Sequence, residues 1–443
     1  MYQVPQNIDS NKIFIVQRSE VEGRLDPKMA LYNRKVQHSL YPKAKLKDLL
    51  ICKPQYGAGE PGIERKSMSE PRYIRITDID ENGLISYDDL GATANVVEDK
   101  YILNENDILI ARSGATVGKV YIHKPTSFDC FFAGYLIRFI IDKNKALPSY
   151  VFSFTQLNAY KNWVNAIQRP SGQPNINSEE YQSLEIPLPD MTKQQEIVDI
   201  IKSAYSQKKQ KESEAQQLLN SIDSYLLNEL GISLPEIKTD LRSRMFLVNR
   251  SDLQDRLDPF YIRYSNNNIY SSKYNTEKLG KIASIVKGNS LTSNNVIPGN
   301  IPVIAGGQSS PYCHNVSNFQ GNVITVSASG AYAGYVWYHG SPIYATDCNV
   351  IYSNNEGFAT TQYISEIMKL QQNRIYNLQS GAAQPHVYPD DLRKIIIPIP
   401  PLSQQKEITS HITATRQQAT RLQEEGKAIL ENAKKEVERM IIG

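Results

Sequence analysis

Cysteine is scarce in this chain of 443 residues: Cys52, Cys130, Cys313 and Cys348 are the only four, and none stands in a C-x-x-C or zinc-like spacing. That excludes a disulfide-stapled scaffold and a structural zinc site, and it implies reduced thiols in a cytosolic protein. The six histidines show no metal spacing either. No run approaches the roughly 18 apolar residues of a membrane span. The opening MYQVPQNIDS has no apolar signal region, so the expected location is the cytoplasm. Charge of one sign is also lacking. With 49 Lys and Arg against 46 Asp and Glu the net charge is +3, which makes no global electrostatic argument for nucleic acid, although local basic patches remain open. There is no G-x-x-x-x-G-K-[ST] loop, no glycine-rich AdoMet loop, and no nuclease constellation of clustered carboxylates with lysine. Nucleotide hydrolysis, methyl transfer and DNA cleavage thus have no visible machinery in the chain itself.

What is present is a repeat. Phe14–Pro27 reads FIVQRSEVEGRLDP and Phe246–Pro259 reads FLVNRSDLQDRLDP, aligned without a gap at an offset of 232 residues. The likeness continues in order. Ser113-Gly114-Ala115, Gly118 and Val120 are matched by Ser329-Gly330-Ala331, Gly334 and Val336. Ser171-Gly172 with Gln173-Pro174 resembles Ser380-Gly381 with Gln384-Pro385. Ile186-Pro187-Leu188-Pro189 then matches Ile397-Pro398-Ile399-Pro400, and Gln194-Gln195-Glu196-Ile197 matches Gln404-Gln405-Lys406-Glu407-Ile408. Landmarks in one order at changing offsets imply a shared fold with different loops. Two like halves suit a target that also has two halves.

The length and the 40% hydrophobic content allow two or three domains with real cores. Residues 44–190 carry short β-branched runs at Tyr73–Ile76, Asp107–Ala111, Lys119–His123 and Tyr135–Ile141, broken by turns such as Asp80-Glu81-Asn82-Gly83, with a helix at Ser149–Ala166. Residues 277–400 read alike, with strands at Val323–Ser327, Gly334–Tyr338 and Asn349–Tyr352 and a helix around Thr360–Asn373. After each Ile-Pro-x-Pro the texture changes. Thr192–Leu230 contains no proline or glycine, and Ser403–Met440 is broken only by Gly426. These runs of 39 and 38 residues would each span about 58 Å as helix. Thr192 starts the first, with Gln195 as its capping-box partner. Narrow 4-3 stripes mark a coiled-coil seam: Ile197, Ile201, Ala204, Ala215, Leu218, Ile222 and Tyr225 in the first run, around a polar centre at Ser206–Glu214. In the second the stripe is Ile408, Ile412, Ala419, Leu422, Ile429, Ala433 and Met440, interrupted by Thr415, Gly426 and Glu436. The expected fold is α+β: two mostly β domains separated by two long helices paired as an antiparallel coiled coil, with an internal pseudo-twofold repeat. The boundaries are 1–190 for the first domain, 191–235 for the central helical spacer, 236–401 for the second domain and 402–443 for the C-terminal spacer. The alternative is two independent helices packed on their own domains.

The ordered set of YIRITDIDENG (Tyr73–Gly83), NDILIARSGATVGKV (Asn106–Val120), IPLP and a long helix, all repeated, resembles the specificity subunit of Type I restriction–modification systems over essentially the whole chain. The resemblance implies two target recognition domains, each reading half of a split double-stranded DNA site. It implies helices that act as a ruler for the unread gap and dock two adenine methyltransferase subunits and, with them, restriction/translocase subunits. AdoMet, ATP and Mg2+ chemistry would belong to those partners and no cofactor to this chain. The second copy departs from the first: ASGAYAGYVWYHG (Ala328–Gly340) lacks the positive charges of Arg112 and Lys119.

Specific reading needs side chains at base edges, while phosphate contacts set position. The candidate DNA contacts in the first half are the basic stretch Arg65, Lys66, Arg72 and Arg75, the turn Arg112-Ser113 with Lys119, and the loop residues Arg169 and Gln173. In the second half they are Lys281, Lys287, Asn289, Ser329, Gln384 and His386. Against each stands a plainer reading: a turn the fold needs at Ser-Gly, a solvated loop, a solvated charged face. The spacer and subunit-interface candidates are Ile197, Ile201, Leu218, Ile222, Ile408, Ile412, Leu422 and Ile429. The repeated Arg-Leu-Asp-Pro reads as an ion pair pinning the start of each domain rather than as a catalytic dyad. Gly57-Ala58-Gly59-Glu60-Pro61-Gly62 fits G-x-G-x-x-G, but Pro61 inside the loop argues against a nucleotide site. Asp258-Pro259-Phe260-Tyr261 is only near the D-P-P-Y of amino-methyltransferases. The competing functions are a protein-interaction scaffold with twin domains and a self-contained DNA methyltransferase.

Overall fold

The computed structural model describes residues 15, 27–35, 39–168, 172, 174–233, 247, 271–381 and 384–443. Arg24-Leu25-Asp26 and Arg256-Leu257-Asp258-Pro259, together with Phe260-Tyr261, lie outside the described residues. The chain divides into two compact units, residues 1–212 with 423–443, and residues 213–422.

In the first unit a four-stranded antiparallel sheet has the spatial order Gln55–Tyr56, Leu136–Phe139, Ile108–Ala111, Val120–Ile122. Successive side chains of a strand face opposite ways, so a strand covered on both faces reads as a continuous apolar run. Ile108 and Ile110 face the helices Pro148–Thr155 and Asn158–Ile167 through Tyr150, Val151, Phe154 and Trp163. Leu109 and Ala111 face a second sheet through Ile74, Cys130 and Phe132. That sheet runs Ile63–Glu64, Ala92–Thr93, Arg72–Ile74, Cys130–Phe132, its last pair parallel. The single helix expected over Ser149–Ala166 is two. Thr155 donates its hydroxyl to the Phe152 carbonyl, competing with the helical ladder where the chain leaves it at Gln156-Leu157.

The second unit repeats the arrangement. Its antiparallel sheet runs Ala283–Lys287, Cys348–Ser353, Val323–Ser327, Val336–His339. The helix Thr361–Leu370 covers Ile324, Val326 and Ile351, while Val323 and Val350 face Ile304, Ile343 and Ala345. The repeated Ile-Pro forms an antiparallel pair in both units: Lys43–Lys45 with Glu185–Pro187, and Thr276–Lys278 with Ile396–Pro398. Tyr150 and Tyr363 donate their hydroxyls to the Pro187 and Pro398 carbonyls. Gln194 and Gln405 are buried equivalents. Their amide nitrogens donate to the Pro189 and Pro400 carbonyls, and their amide oxygens accept from the backbone of Leu147 and Thr360. The repeated Gln-Gln thus ties the end of each domain to the start of its long helix.

The two long helices, Met191–Leu230 and Leu402–Ile441, have 40 residues each, about 60 Å of helix. In the first unit Lys211 pairs with Glu425 and the first helix runs antiparallel to the second, with Ile197, Ile201 and Ala204 sharing a core with Leu430, Ala433, Val437 and Ile441. In the second unit Tyr225 packs on His411, Gln404 donates to Glu229, and Ile222, Leu226 and Leu230 share a core with Ile408 and Ile412. The fold is α+β with an internal repeat and antiparallel long helices.

Three details correct the sequence reading. The first helix is capped by Asp190, whose carboxylate accepts from Lys193 N at 2.9 Å, while Gln195 bonds Asp199 instead of serving Thr192. Thr415 and Gly426 do not interrupt the seam but lie buried in it. Beyond Gly426 the buried line is Leu430, Ala433, Val437 and Ile441, so Ile429 and Met440 sit at its edge. The step from Leu422 to Gly426 is four residues, and a glycine there lets the backbones close. A Cβ on Gly426 would lie 3.3 Å from the Lys208 carbonyl.

Candidate nucleic-acid interface

The two units build the same small site from the same three pieces. One is the turn after an inner strand: Arg112-Ser113-Gly114 follows Ile108–Ala111, and Ala328-Ser329-Gly330 follows Val323–Ser327. The second is the loop that returns to it. Gly114 N donates to Pro174 O and Ile176 N to Arg112 O; in the other unit Gly330 N donates to Pro385 O and Val387 N to Ala328 O. The third is the end of the edge strand, where Gly57 N donates to Leu136 O and Gly288 N to Cys348 O. A Cβ on Gly57 would stand 2.3 Å from the Ala133 carbonyl, and one on Gly288 would stand 2.2 Å from the Thr346 carbonyl. Both positions need glycine for close approach, which accounts for Gly57 without any nucleotide loop. The turn glycines adopt φ of +80° and +85° at Gly114 and Gly330. The backbone frame is shared, and the side chains on it are not.

In the first unit the Arg112 guanidinium lies over the Tyr56 ring, 4.9 Å from its centroid, with Nε buried and without a hydrogen-bond partner among the described residues. Tyr56 is held through its hydroxyl, which donates to Ser178 Oγ and accepts from Ser178 N. Tyr135 is widely exposed beside them, and Arg112 N donates to its carbonyl. An arginine stacked on an aromatic ring suits a phosphate or a guanine edge. Ser113 pairs with Asn175 through its backbone. Arg169 and Gln173 lie outside the described residues.

In the second unit a cleft of about 430 Å³ is lined by Lys287, Asp347, Cys348, Asn349, His386 and Tyr388, among others. Ser329 donates its hydroxyl to the Asp347 carboxylate, and Gln384 reaches Ser329 at 3.5 Å. His386 stacks on Tyr388 with ring centroids 6.2 Å apart. Lys287 and Asn289 are exposed at the strand end. Burial, and then the charge of Asp347, push the Cys348 thiol up to about 12, so it lines the cleft as a thiol and not as a nucleophile. Of the candidates drawn from sequence, Lys287 and His386 line this cleft and Ser329 and Gln384 are bonded to its Asp347 in series, while Asn289 lies exposed two residues beyond Lys287. Lys281 lies apart, paired with Glu277 at 3.2 Å.

The basic stretch of the first half is corrected. Arg65 is 0% exposed, donating to the carbonyls of Glu70, Met68 and Leu90 beneath the Phe128 ring. Arg72 is 1% exposed, pairing with Asp89 at 2.8 Å under Tyr87 in room left by Gly91. Both guanidiniums fasten the second sheet and its loops and are not presented to a ligand. Lys119 donates to the Ile79 carbonyl and straps the Asp80 turn. Lys66 is exposed, and Arg75 is half-exposed against Asp78. Tyr56, Tyr135, Asp347 and Asn349 were not singled out by sequence. The sequence signal that could have found Tyr56 is Gly57, which follows it at the end of the edge strand as Gly288 follows Lys287.

Among the described residues no three His, Cys, Asp or Glu side chains are grouped to hold a metal, and no helix is long and apolar enough to cross a membrane. Comparison with curated proteins finds no match. Among solved structures, one of the complex assembly and conformational transition of a type I R-M system is similar at 14% identity, TM-score 0.51, over 91% of this chain and 97% of that one. The S subunit of a Type I restriction-modification system from M. genitalium is similar at 14% identity and TM-score 0.47, over 92% and 97%. The HsdS subunit from Thermoanaerobacter tengcongensis is similar at 14% identity and TM-score 0.36, over 89% and 96%. The first of these shares the fold. The model of the Type I restriction modification DNA specificity domain matches residues 72–221 and again residues 271–432. The chain belongs to that family and carries its domain twice.

Proposed function

We propose that this chain is the specificity subunit of a Type I restriction–modification complex that binds a bipartite DNA site, one half-site per domain. The observation that carries the reading is the repeated frame around Gly114 and Gly330, held by matching backbone hydrogen bonds and dressed with different side chains. Such a pair of sites would hold two DNA segments in equivalent ways while reading different bases. The long helices would set the gap between half-sites, on the order of one turn of DNA, roughly 34 Å. A groove of about 1160 Å³ between the helices in the first unit, with Met191, Ile200 and Ile429 on its walls, offers apolar surface for a helical partner such as a methyltransferase subunit. In this reading the chain is not itself catalytic. Adenine methylation, ATP-driven translocation and cleavage, with AdoMet, ATP and Mg2+, reside on the partners, and the complex works in the cytoplasm.

The test is a modified-base map of host DNA with and without this gene, the methyltransferase partner being expressed in both. Loss of methylation at one two-part motif on deletion is expected. An unchanged map with an active partner would overturn the reading.

A further inference from the structure

We propose that Asp347, backed by Asn349 and flanked by Lys287, reads one C·G pair in the half-site of the second domain. The inference rests on the DNA-reading function above and adds the base that this domain selects.

Asn349 is 1% exposed, and its Nδ2 donates to the Val387 carbonyl at 3.1 Å. That bond fixes the amide orientation and leaves Oδ1 as a buried acceptor with no hydrogen-bond partner among the described residues. A buried acceptor without a partner is unfavourable. The fold does not require one here. Asn349 is the residue opposite Lys287 on the neighbouring strand, and Ile137 is opposite Tyr56 at the matching place in the first unit. Ile137 is fully buried beside Ile176, the counterpart of Val387. One frame therefore accepts isoleucine, and the other carries an unpaired amide oxygen on the wall of an open cleft.

Asp347 stands on the same wall, where the first unit has Tyr135: Ala328 N donates to Asp347 O as Arg112 N donates to Tyr135 O. Its carboxylate is exposed and steadied by Ser329. An ionised carboxylate only accepts hydrogen bonds. In the major groove only the amino groups of cytosine (N4) and adenine (N6) can donate to it. Adenine N6 stands beside its own N7 acceptor, which repels a carboxylate as do the O6 and N7 of guanine and the O4 of thymine, so cytosine N4 is the fitting donor. Lys287 lines the same cleft and is exposed, so its ammonium can donate to O6 or N7 of the paired guanine. Asn349 Oδ1, deeper in the wall, joins through a bridging water. The donor and the acceptors thus match a C·G pair in one orientation across the groove.

The experiment compares modified-base maps from cells expressing the methyltransferase partner with the wild-type chain, Asp347→Asn or Asn349→Ile. The wild type should mark a two-part motif with a C·G pair in one half. Asp347→Asn should relax that position by about tenfold or more, leaving the other half and the gap unchanged. Asn349→Ile, which installs the first unit's residue, should unfold at or above the wild-type temperature while loosening the same position. If the wild type marks a two-part motif and both variants mark it unaltered, or the loosened position is A·T, the inference is overturned alone. If the wild type marks no two-part motif, the function proposed above falls and takes this inference with it.

Discussion

The two domains fasten to the second long helix by different chemistry. In the second unit Glu366, 3% exposed on its side chain, takes both Arg416 guanidinium nitrogens at 2.6 Å, with Lys369 at 3.7 Å. In the first unit Glu438 instead accepts from the backbone N of Ala159 at 2.7 Å and from Asn158 Nδ2, capping the helix Asn158–Ile167 from outside its own chain segment. A buried carboxylate that loses its partner is left uncompensated, whereas a lost cap exposes backbone donors to water. The same fold thus tolerates one attachment that is severe to break and one that is mild. Arg416→Ala should destabilise the second unit by about 3 kcal/mol, the lower end for a broken buried pair because Lys369 remains. Glu438→Ala should cost the first unit about 1 kcal/mol. Hydrogen exchange resolves the two units: amides of Thr361–Leu370 should exchange faster by on the order of a hundredfold in the first variant, and equal responses in the two variants would contradict the contrast.

Where the units agree, they should fail together. Burial pushes the imidazoles of His123 and His339, at the ends of matching strands, down to about 4 from 6.5. Each is neutral in the folded state, and the unfolded chain takes up its proton first. The contribution is therefore complete above pH 6.5 and declines as pH falls toward 4, by on the order of 2 kcal/mol per histidine. Denaturant midpoints measured from pH 7.5 to 4.5 should drop for both units. His123→Gln should flatten the profile of the first unit alone, and His339→Gln that of the second.

The duplication, the paired long helices and the Ser-Gly turns were legible in sequence because each leaves a local mark: an aligned motif, a run without proline, a glycine at positive φ. The seam was half legible. Thr415 and Gly426 read as breaks because hydropathy scores polarity, while the structure uses them for their small size at a close approach. Arg65 and Arg72 read as surface charge because the rings and carbonyls that enclose them, Phe128 and Tyr87 among them, lie at sequence distances no periodicity reaches. Asp347 sits on a connection between strands, which carries no pattern, and Tyr135 reads as the first residue of a strand run although the strand itself begins at Leu136. The seam is tested at its tightest point. Gly426→Leu should destabilise the first unit by roughly 1–3 kcal/mol through overpacking against Lys208 and Lys211. In Gly426→Ala, the gain in helix propensity of about 1 kcal/mol should offset most of the crowding.

The smallest effect separates the starts of the two long helices. Asp190 caps the first through Lys193 N, and its carboxylate also suits the positive end of the helix dipole. The second helix begins at Leu402, with Gln405 N donating to the Pro401 carbonyl, and Pro400-Pro401 offers no side-chain acceptor at that place. Proline contributes in another way: its fixed φ restrains the unfolded chain before the helix forms. Asp190→Ala should therefore lower stability by about 1 kcal/mol, and Asp190→Asn by less, since the amide oxygen still accepts while the dipole term is lost. Thr192→Ala, at the position that sequence alone marked as the start, should change it by under about 0.5 kcal/mol. Urea midpoints of the three variants decide the matter. A Thr192→Ala loss as large as that of Asp190→Ala would return the cap to Thr192 and with it the two-residue shift of the helix start.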